Sequence, residues 1–286
     1  MDADNFDTLL RLALEEDLGE RGDATSKAIF APGDSCEAVL VSKDSGILCG
    51  AELFSRVFER IDPSIERVLL KKDGDALSPG DVVARLRGCT IGILEGERTA
   101  INFIAFLSGI ATRANRMQAI AAASGRAVVI DTRKTVPGYR ALSKYAVRTG
   151  GAGNHRMGLH DMVLIKDNHQ DASGGIAEAV RRARSAWGSS LAVEVEARSV
   201  DDVRVALGLD VDWIMLDNMD EKACAAALAL PRPPRNPPVI FEASGNMDED
   251  RVGRYSALGV DRISVGALTH SVRAFDFSLR IAGGRK

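Results

Sequence analysis

From residue 126 onward the chain repeats one pattern. A short apolar run stops at a polar or charged residue and is followed by a helical stretch. The runs are AVVIDT (127–132), DMVLIKD (161–167), LAVEVEA (191–197), DWIMLDN (212–218), PVIFEAS (238–244) and DRISVGA (261–267). They start about 20 to 35 residues apart, the spacing that a strand, a helix and two connections need. Each run is nearly all apolar until its last positions, which predicts parallel strands covered on both faces. This half of the chain therefore reads as one α/β barrel or doubly wound sheet. Folds of that kind gather their functional residues at the carboxyl ends of the strands, here Asp131, Lys166, Glu196, Asp217, Ser244 and Gly266.

The first hundred residues follow other periods. Phe6, Leu9, Leu10, Ala13 and Leu14 recur at helical spacing, and Gly19 stops the run. CEAVLVSKDSGILCG (36–50) reads as two short strands around Asp44-Ser45-Gly46. ERVLLKKDGDALSPGDVVARLRG (66–88) reads as further strands separated by Asp73-Gly74 and Pro79-Gly80 turns. Together they predict a small sheet-rich region over roughly residues 25 to 92. A helix is predicted from Glu95 to Ala123, with Glu95 and Glu97 in its first turn, where the helix dipole favours them. PRPPRNPP (231–238) holds five of the nine prolines and reads as a stiff extended connection.

Composition narrows the class of function. The chain has 286 residues, 45% hydrophobic and 27% charged, with a formal net charge of −3. That charge argues against nucleic acid or an anionic membrane as partner, since both need an extended basic surface. MDADNFD is acidic and lacks an apolar h-region, so no secretory signal is expected. The longest apolar stretch, Ala100 to Ala111, is interrupted by Asn102 and Ser108 and is too short to span a bilayer. Cys36, Cys49, Cys89 and Cys224 are scattered without a C-x-x-C pair, which favours reduced thiols and a cytoplasmic protein.

Against that acidic background the cations between Val128 and His169 stand out. Arg133, Lys134, His155, Arg156 and Lys166 lie at the ends of apolar runs or in glycine-rich loops, not along helical faces. Arg133 and Lys134 follow a strand directly. A guanidinium holds a carboxylate or phosphate through two parallel bonds, while a lysine adds a point charge. Pro137 is expected to open the next helix. Glycines 150, 151 and 153 let the backbone approach a ligand beside His155 and Arg156. Lys166 closes the apolar run MVLI, so it must project into a pocket or be desolvated. His160 and His169 read as structural hydrogen-bonding residues.

Glu194 and Glu196 alternate with valines and so share one face of their strand. Two inward carboxylates require cations or a metal. Glu196 with Asp217 suits Mg²⁺, which takes few carboxylates along with water and phosphate oxygens, and Glu194 is left to pair with a pocket cation. Ser244-Gly245-Asn246 and Gly266-Ala267-Leu268, followed by Thr269 and His270, end the last two strands as a phosphate cradle. The sum favours one substrate with two carboxylates and a second bearing phosphates.

DTRKTVPGYRALSKYAVRTGGAGNHRMGL and LIKDNH resemble the core signature of the quinolinate phosphoribosyltransferases. EEDLGERGDATS, EGERTAINF, LSGIAT, EVEA, IMLDN, EASGN and VGALTHS follow that family's flanking motifs in order. The resemblance implies the type II phosphoribosyltransferase fold, an N-terminal α/β sandwich with an incomplete, roughly seven-stranded α/β barrel. On this sequence the division runs 1–112 for the sandwich, with 270–286 available to complete it, and 113–286 for the barrel. It further implies transfer of phosphoribosyl from phosphoribosyl pyrophosphate to quinolinate with decarboxylation, by a homodimer, with Mg²⁺ and no organic cofactor. Arg133, Lys134, His155, Arg156 and Lys166 would bind the quinolinate carboxylates, and Arg98 would reach into the partner's site. Glu196 and Asp217 would lie near Mg²⁺ and the ribose, and Ser244, Gly245, Asn246, Gly266 and His270 around the 5′-phosphate. Lys134, Lys166, Glu196 and Asp217 would carry the catalysis. Asn246 stands where the family commonly has a second glycine.

Three other readings stay open at this level. A paralogous phosphoribosyltransferase of the molybdate-operon kind would share the fold and take another acceptor. A Schiff-base aldolase would use Lys134 or Lys166. A non-enzymatic anion binder would hold a dicarboxylate without turning it over.

Overall fold

Alternating polar and apolar positions shape the N-terminal elements, and continuous apolar runs shape the later strands. The computed structural model describes residues 3–232, 234, 235 and 237–282; Pro233 and Asn236 of the proline-rich segment, and the residues beyond 282, lie outside the described residues. In chain order the elements are α1 (Ala3–Leu18), α2 (Ala24–Ile29), β1 (Ser35–Ser42), β2 (Gly46–Ile47), α3 (Ala51–Ile61), β3 (Glu66–Leu69), β4 (Ala76–Leu77), β5 (Val82–Cys89) and the long α4 (Thr90–Ser124). Then come β6 (Val128–Ile130), α5 (Arg140–Thr149), β7 (Val163–Ile165), α6 (Asp167–Ser173), α7 (Ile176–Trp187), β8 (Val193–Ala197) and α8 (Val200–Leu207). β9 (Trp213–Asp217), α9 (Glu221–Leu228), β10 (Ile240–Ser244), α10 (Glu249–Leu258), β11 (Arg262–Ser264), α11 (Ala267–His270) and β12 (Phe277–Ala282) complete it.

These form two compact units. The first comprises residues 3–115, 136–151 and 271–282. Its antiparallel sheet runs β12-β1-β5-β3. Leu40 stands opposite both Leu279 and Ala84, and Ala38 opposite Leu86, so apolar residues fill one face while Glu37, Arg85 and Arg87 are exposed. The sheet-rich region also contains a helix that the turn signals concealed. α3 buries Leu53, Phe54, Val57 and Phe58, and Asp73 caps its start by accepting from the Gly50 and Ala51 amides at 2.9 Å. Pro137 does not begin a helix. It precedes Gly138, at φ +77°, in a turn closed by Tyr139 N–H donating to the Val136 carbonyl, and α5 starts only at Arg140.

The second unit comprises residues 116–135 and 152–270. Its strands form one parallel sheet in the order β6-β11-β10-β9-β8-β7. Six strands are present among the described residues where the family resemblance suggested about seven. Beside β6 a seventh is reduced to a single bridge, Ile130 with Gly153, because the glycine-rich segment offers one residue of extended pairing. Ser199, Asp220 and Asp248 cap α8, α9 and α10 with their side chains, so each strand turns into its helix within a few residues. Among the described residues, no helix is long and apolar enough to cross a membrane.

Register sorts the parallel strands into two unlike faces. Val193, Val195, Ala197, Ile214, Leu216, Phe241, Ala243 and Ile263 share one, all fully buried. The other carries Glu194, Glu196, Asp217, Glu242, Ser244 and Ser264. The apolar runs thus hide polar residues on their inner face, interspersed with Trp213, Met215 and Leu164.

Candidate active site

The site is built at the carboxyl ends of these strands. Asp131, just past β6, is fully buried, and its carboxylate accepts from the His155 amide at 2.9 Å and from Asn154 Nδ2 at 2.6 Å. It ties the glycine-rich loop to the strand end. His155 Nδ1 accepts from the Arg156 amide at 2.6 Å, so Nε2 carries the ring proton. Nε2 points between two carboxylates that have no exposed surface, Glu194 at 3.0 Å and Glu242 at 3.4 Å. Trp213 packs beside the imidazole at 5.8 Å between ring centroids.

Burial pushes the Glu194 carboxyl well above its ordinary range, opposed by Arg156 and reinforced by Glu196. Glu242 is raised by the same loss of water, then by Glu194, with His155 and Ser264 pulling the other way. The two acids cannot both ionise easily so close together, and they retain a proton where exposed glutamates have lost theirs.

Arg156 is half-buried and donates through Nη1 to the Met162 carbonyl at 3.0 Å. Desolvation and then the neighbouring Arg133 depress its pKa, with Glu194 opposing.

One layer nearer the strand ends, Lys166 Nζ lies 3.7 Å from Glu196 Oε2. Burial raises Glu196, Asp217 raises it further, and Lys166 opposes them. Gln170 fixes the Glu196 backbone by donating to its carbonyl at 2.6 Å. His169 Nδ1 accepts from the Lys166 amide at 2.9 Å, a structural hydrogen bond of the kind expected for it. Asp217 and Ser244 are register partners on β9 and β10. Gly245 follows at φ +111°, against the Asn218 side chain. At the end of β11, a Cβ on Gly266 would stand 3.1 Å from Lys134 Cδ and 3.2 Å from His270 Nε2, so lysine and histidine converge on bare backbone. Thr269 Oγ1 donates to the Lys134 carbonyl at 2.8 Å and locks the two loops together.

The second unit therefore brings together Arg133, Lys134, His155, Arg156, Lys166, Glu196, Asp217, Ser244, Gly245, Gly266 and His270 around its strand ends, with Asn246 next in the β10 loop. Arg98 belongs to the first unit, exposed on α4 and lining a cavity of about 380 Å³ with Asp17, Asn102, Phe103 and Tyr139. Two residues of the site, Glu242 and Asn218, were not singled out in the sequence. Glu242 carried a signal, since it repeats the parity of Glu194 and Glu196 on a nearby strand, and Asn218 was visible only as the residue after Asp217. Asp131 was expected at a strand end, and the structure gives it the part of holding the glycine-rich loop.

Comparison with known proteins places the chain in a family. Residues 23–108 match the family described as quinolinate phosphoribosyl transferase, N-terminal domain, and residues 110–280 match its C-terminal domain. The chain is 42% identical over 267 residues to a probable nicotinate-nucleotide pyrophosphorylase of Bacillus subtilis, covering 93% of this chain and 90% of the relative. It is 39% identical over 291 residues to the chloroplastic nicotinate-nucleotide pyrophosphorylase of Arabidopsis thaliana, covering 96% of this chain and 82% of that one. The solved nicotinate-nucleotide pyrophosphorylase of Francisella tularensis superposes with a TM-score of 0.92 at 36% identity, over 98% of this chain and 97% of the other.

Proposed function

The chain belongs to the quinolinate phosphoribosyltransferase family and carries that family's glycosyltransferase activity in de novo NAD biosynthesis, and from this premise we propose how its own residues divide the work. Arg133, Arg156 and Lys166 take the two carboxylates of quinolinate, with His155 at the floor of the pocket. The observation that carries this is the Arg133–Arg156 pair. Two arginines on adjacent strand-end loops, near enough for Arg133 to depress the Arg156 pKa, favour an anion held by both. Lys134 and His270, converging on Gly266, hold the 5′-phosphate of phosphoribosyl pyrophosphate, with Ser244, Gly245 and Asn246 closing the other side of that cradle. Lys134 also reaches toward the pyridine.

Glu196 and Asp217 hold Mg²⁺. Glu196 Oε2 is buried with the Lys166 ammonium 3.7 Å away, and its carboxyl is raised by burial and then by Asp217, so two carboxylates share one cation where a divalent ion would add charge. When bound, Mg²⁺ supplies charge neutralisation for the departing pyrophosphate. The same carboxylates face the ribose, where positive charge develops as the quinolinate nitrogen attacks C1. Loss of the 2-carboxylate as CO₂ leaves electron density beside that nitrogen. The nitrogen is a pyridinium only after ribosylation, so transfer precedes decarboxylation. Arg133 and Arg156 orient the carboxylates until then, and the electron pair left on C2, stabilised by the adjacent pyridinium and by the Lys166 cation, takes up one proton to give the nicotinate product.

The test is release of CO₂ from quinolinate labelled at its 2-carboxylate. Release is expected only with phosphoribosyl pyrophosphate present, in step with pyrophosphate. Release without it would reverse the order of steps.

The active form is a homodimer working in the cytoplasm, in which Arg98 of one subunit completes the site of the other. Its exposed place on α4, in a part-apolar cavity, suits an interface. Subunits carrying Arg98→Ala and subunits carrying Lys134→Ala are each expected to be nearly inactive alone. Mixed, they regain roughly a quarter of wild-type activity, because half of the random dimers contain one intact site. Mixed dimers that form but stay inactive would refute action in trans.

A further inference from the structure

Asn218 and Asn246 are the two residues other than glycine with positive φ among the described residues, at +52° and +47°, and they follow consecutive strands of the site. Left-handed backbone is costly for residues other than glycine, and asparagine tolerates it best of them. A strained conformation persists where surrounding contacts hold it. Around Asn218 those contacts are specific. Its amide donates to the Ser244 carbonyl at 3.0 Å, extending the β9–β10 pairing by one residue. Its side-chain Nδ2 donates to Asp217 Oδ2 at 2.7 Å. Its Oδ1 then faces Gly245 so closely that a Cβ there would overlap it.

We infer that Asn218 is a positioning residue that locks the Asp217 carboxylate to the Gly245 loop, so that the pyrophosphate end and the 5′-phosphate end of the sugar substrate are gripped in one geometry. With one Asp217 oxygen held by Nδ2, the carboxylate keeps a single orientation and presents the other oxygen outward. Hydrogen bonds behind a metal-binding carboxylate work in this way. Gly245 is glycine for the same reason, since any side chain would displace the asparagine. The inference rests on the reading that Asp217 and Gly245 face phosphoribosyl pyrophosphate.

Asn218→Gly tests it, because glycine keeps the left-handed backbone and removes only the amide. The KM for phosphoribosyl pyrophosphate, and the Mg²⁺ concentration for half-maximal rate, are expected to rise about tenfold or more. The KM for quinolinate should stay within about twofold and the melting temperature within about 2 °C, since a surface change away from the core alters stability little. Asn218→Asp retains the shape but loses the donor and sets a second carboxylate against Asp217, so its loss should be at least as large. An unchanged KM for phosphoribosyl pyrophosphate in both variants, or equal losses for both substrates, would overturn the inference. Asp217→Ala separates the two levels. If it is harmful while Asn218→Gly behaves as wild type, the inference alone fails. If Asp217→Ala itself leaves the KM for phosphoribosyl pyrophosphate unchanged, the underlying reading of Asp217 fails.

Discussion

Arg156→Ala is expected to lower kcat/KM for quinolinate by about 100- to 1,000-fold, the cost of truncating one partner of a buried, hydrogen-bonded charge pair. The effect should be large because the side chain is braced from several directions. Its backbone amide is fixed to His155 Nδ1, its Nη1 to the Met162 carbonyl, and the Arg133 charge lowers its pKa. A dianion entering between the two guanidinium groups relieves their repulsion and gains charge-assisted bonds, so binding is stronger than to either alone. Without Arg156, one carboxylate loses its forked donor and Glu194 loses the charge that most opposes its raised pKa. Arg156→Lys keeps the charge but not the planar fork and should recover only part of the loss. Steady-state kinetics with quinolinate varied at saturating phosphoribosyl pyrophosphate would show it. Arg133→Ala should act in the same direction, and calorimetry should find quinolinate binding weakened far more than phosphoribosyl pyrophosphate binding. A change below threefold for Arg156→Ala, or equal weakening of both substrates by Arg133→Ala, would place the dicarboxylate elsewhere.

Much of this site was legible in the chain because parallel strands announce their ends. An apolar run that stops at Lys166, Asp217 or Ser244 marks where the sheet opens, and the glycines beside His155 and before His270 mark where backbone comes close. What the sequence withheld was adjacency across strands. Glu194 and Glu242 are separated by β9 in the sheet, yet with His155 they present ligand-capable atoms within 4.8 Å of one another. Parity places each of them on the inner face, but only the three-dimensional sheet brings their tips together. A lone glutamate in PVIFEAS therefore read as part of an apolar run. The left-handed backbone of Asn218 was equally hidden, since an asparagine after a strand commonly just begins a turn. The turn signals at Asp44-Ser45-Gly46, Asp73-Gly74 and Pro79-Gly80 located the N-terminal strands, while the apolar spacing of α3 between them was overshadowed. At Pro137 the preference of proline for a first helical turn lost to the Pro-Gly turn, because Gly138 supplies the positive φ that such a turn needs.

The carboxyl pair beneath the pocket leads to the second large effect. Glu242 is wholly buried against His155 and Glu194, and burial holds its proton on. A carboxyl whose folded pKa is raised binds more protons folded than unfolded. Its contribution is therefore fully present below the ordinary value of 4.5 and is lost as pH rises through the folded one. Glu194 has the same sign. The carboxyls shifted the other way, Asp23, Asp62, Asp161 and Glu178, finish titrating below this window and leave it undisturbed. Stability is therefore expected to fall between pH 5 and pH 8.5, measured by urea unfolding. Glu242→Gln keeps the volume without the charge, so it should match the wild type at pH 5 and exceed it at pH 8.5. Glu242→Ala opens a cavity and strips His155 of a carboxyl neighbour, at a cost of about 3 kcal/mol across the range. A wild-type curve that is flat or rising over this interval, or a Gln variant with the wild-type slope, would show that the pair is ionised, with its charges compensated by a route other than a retained proton.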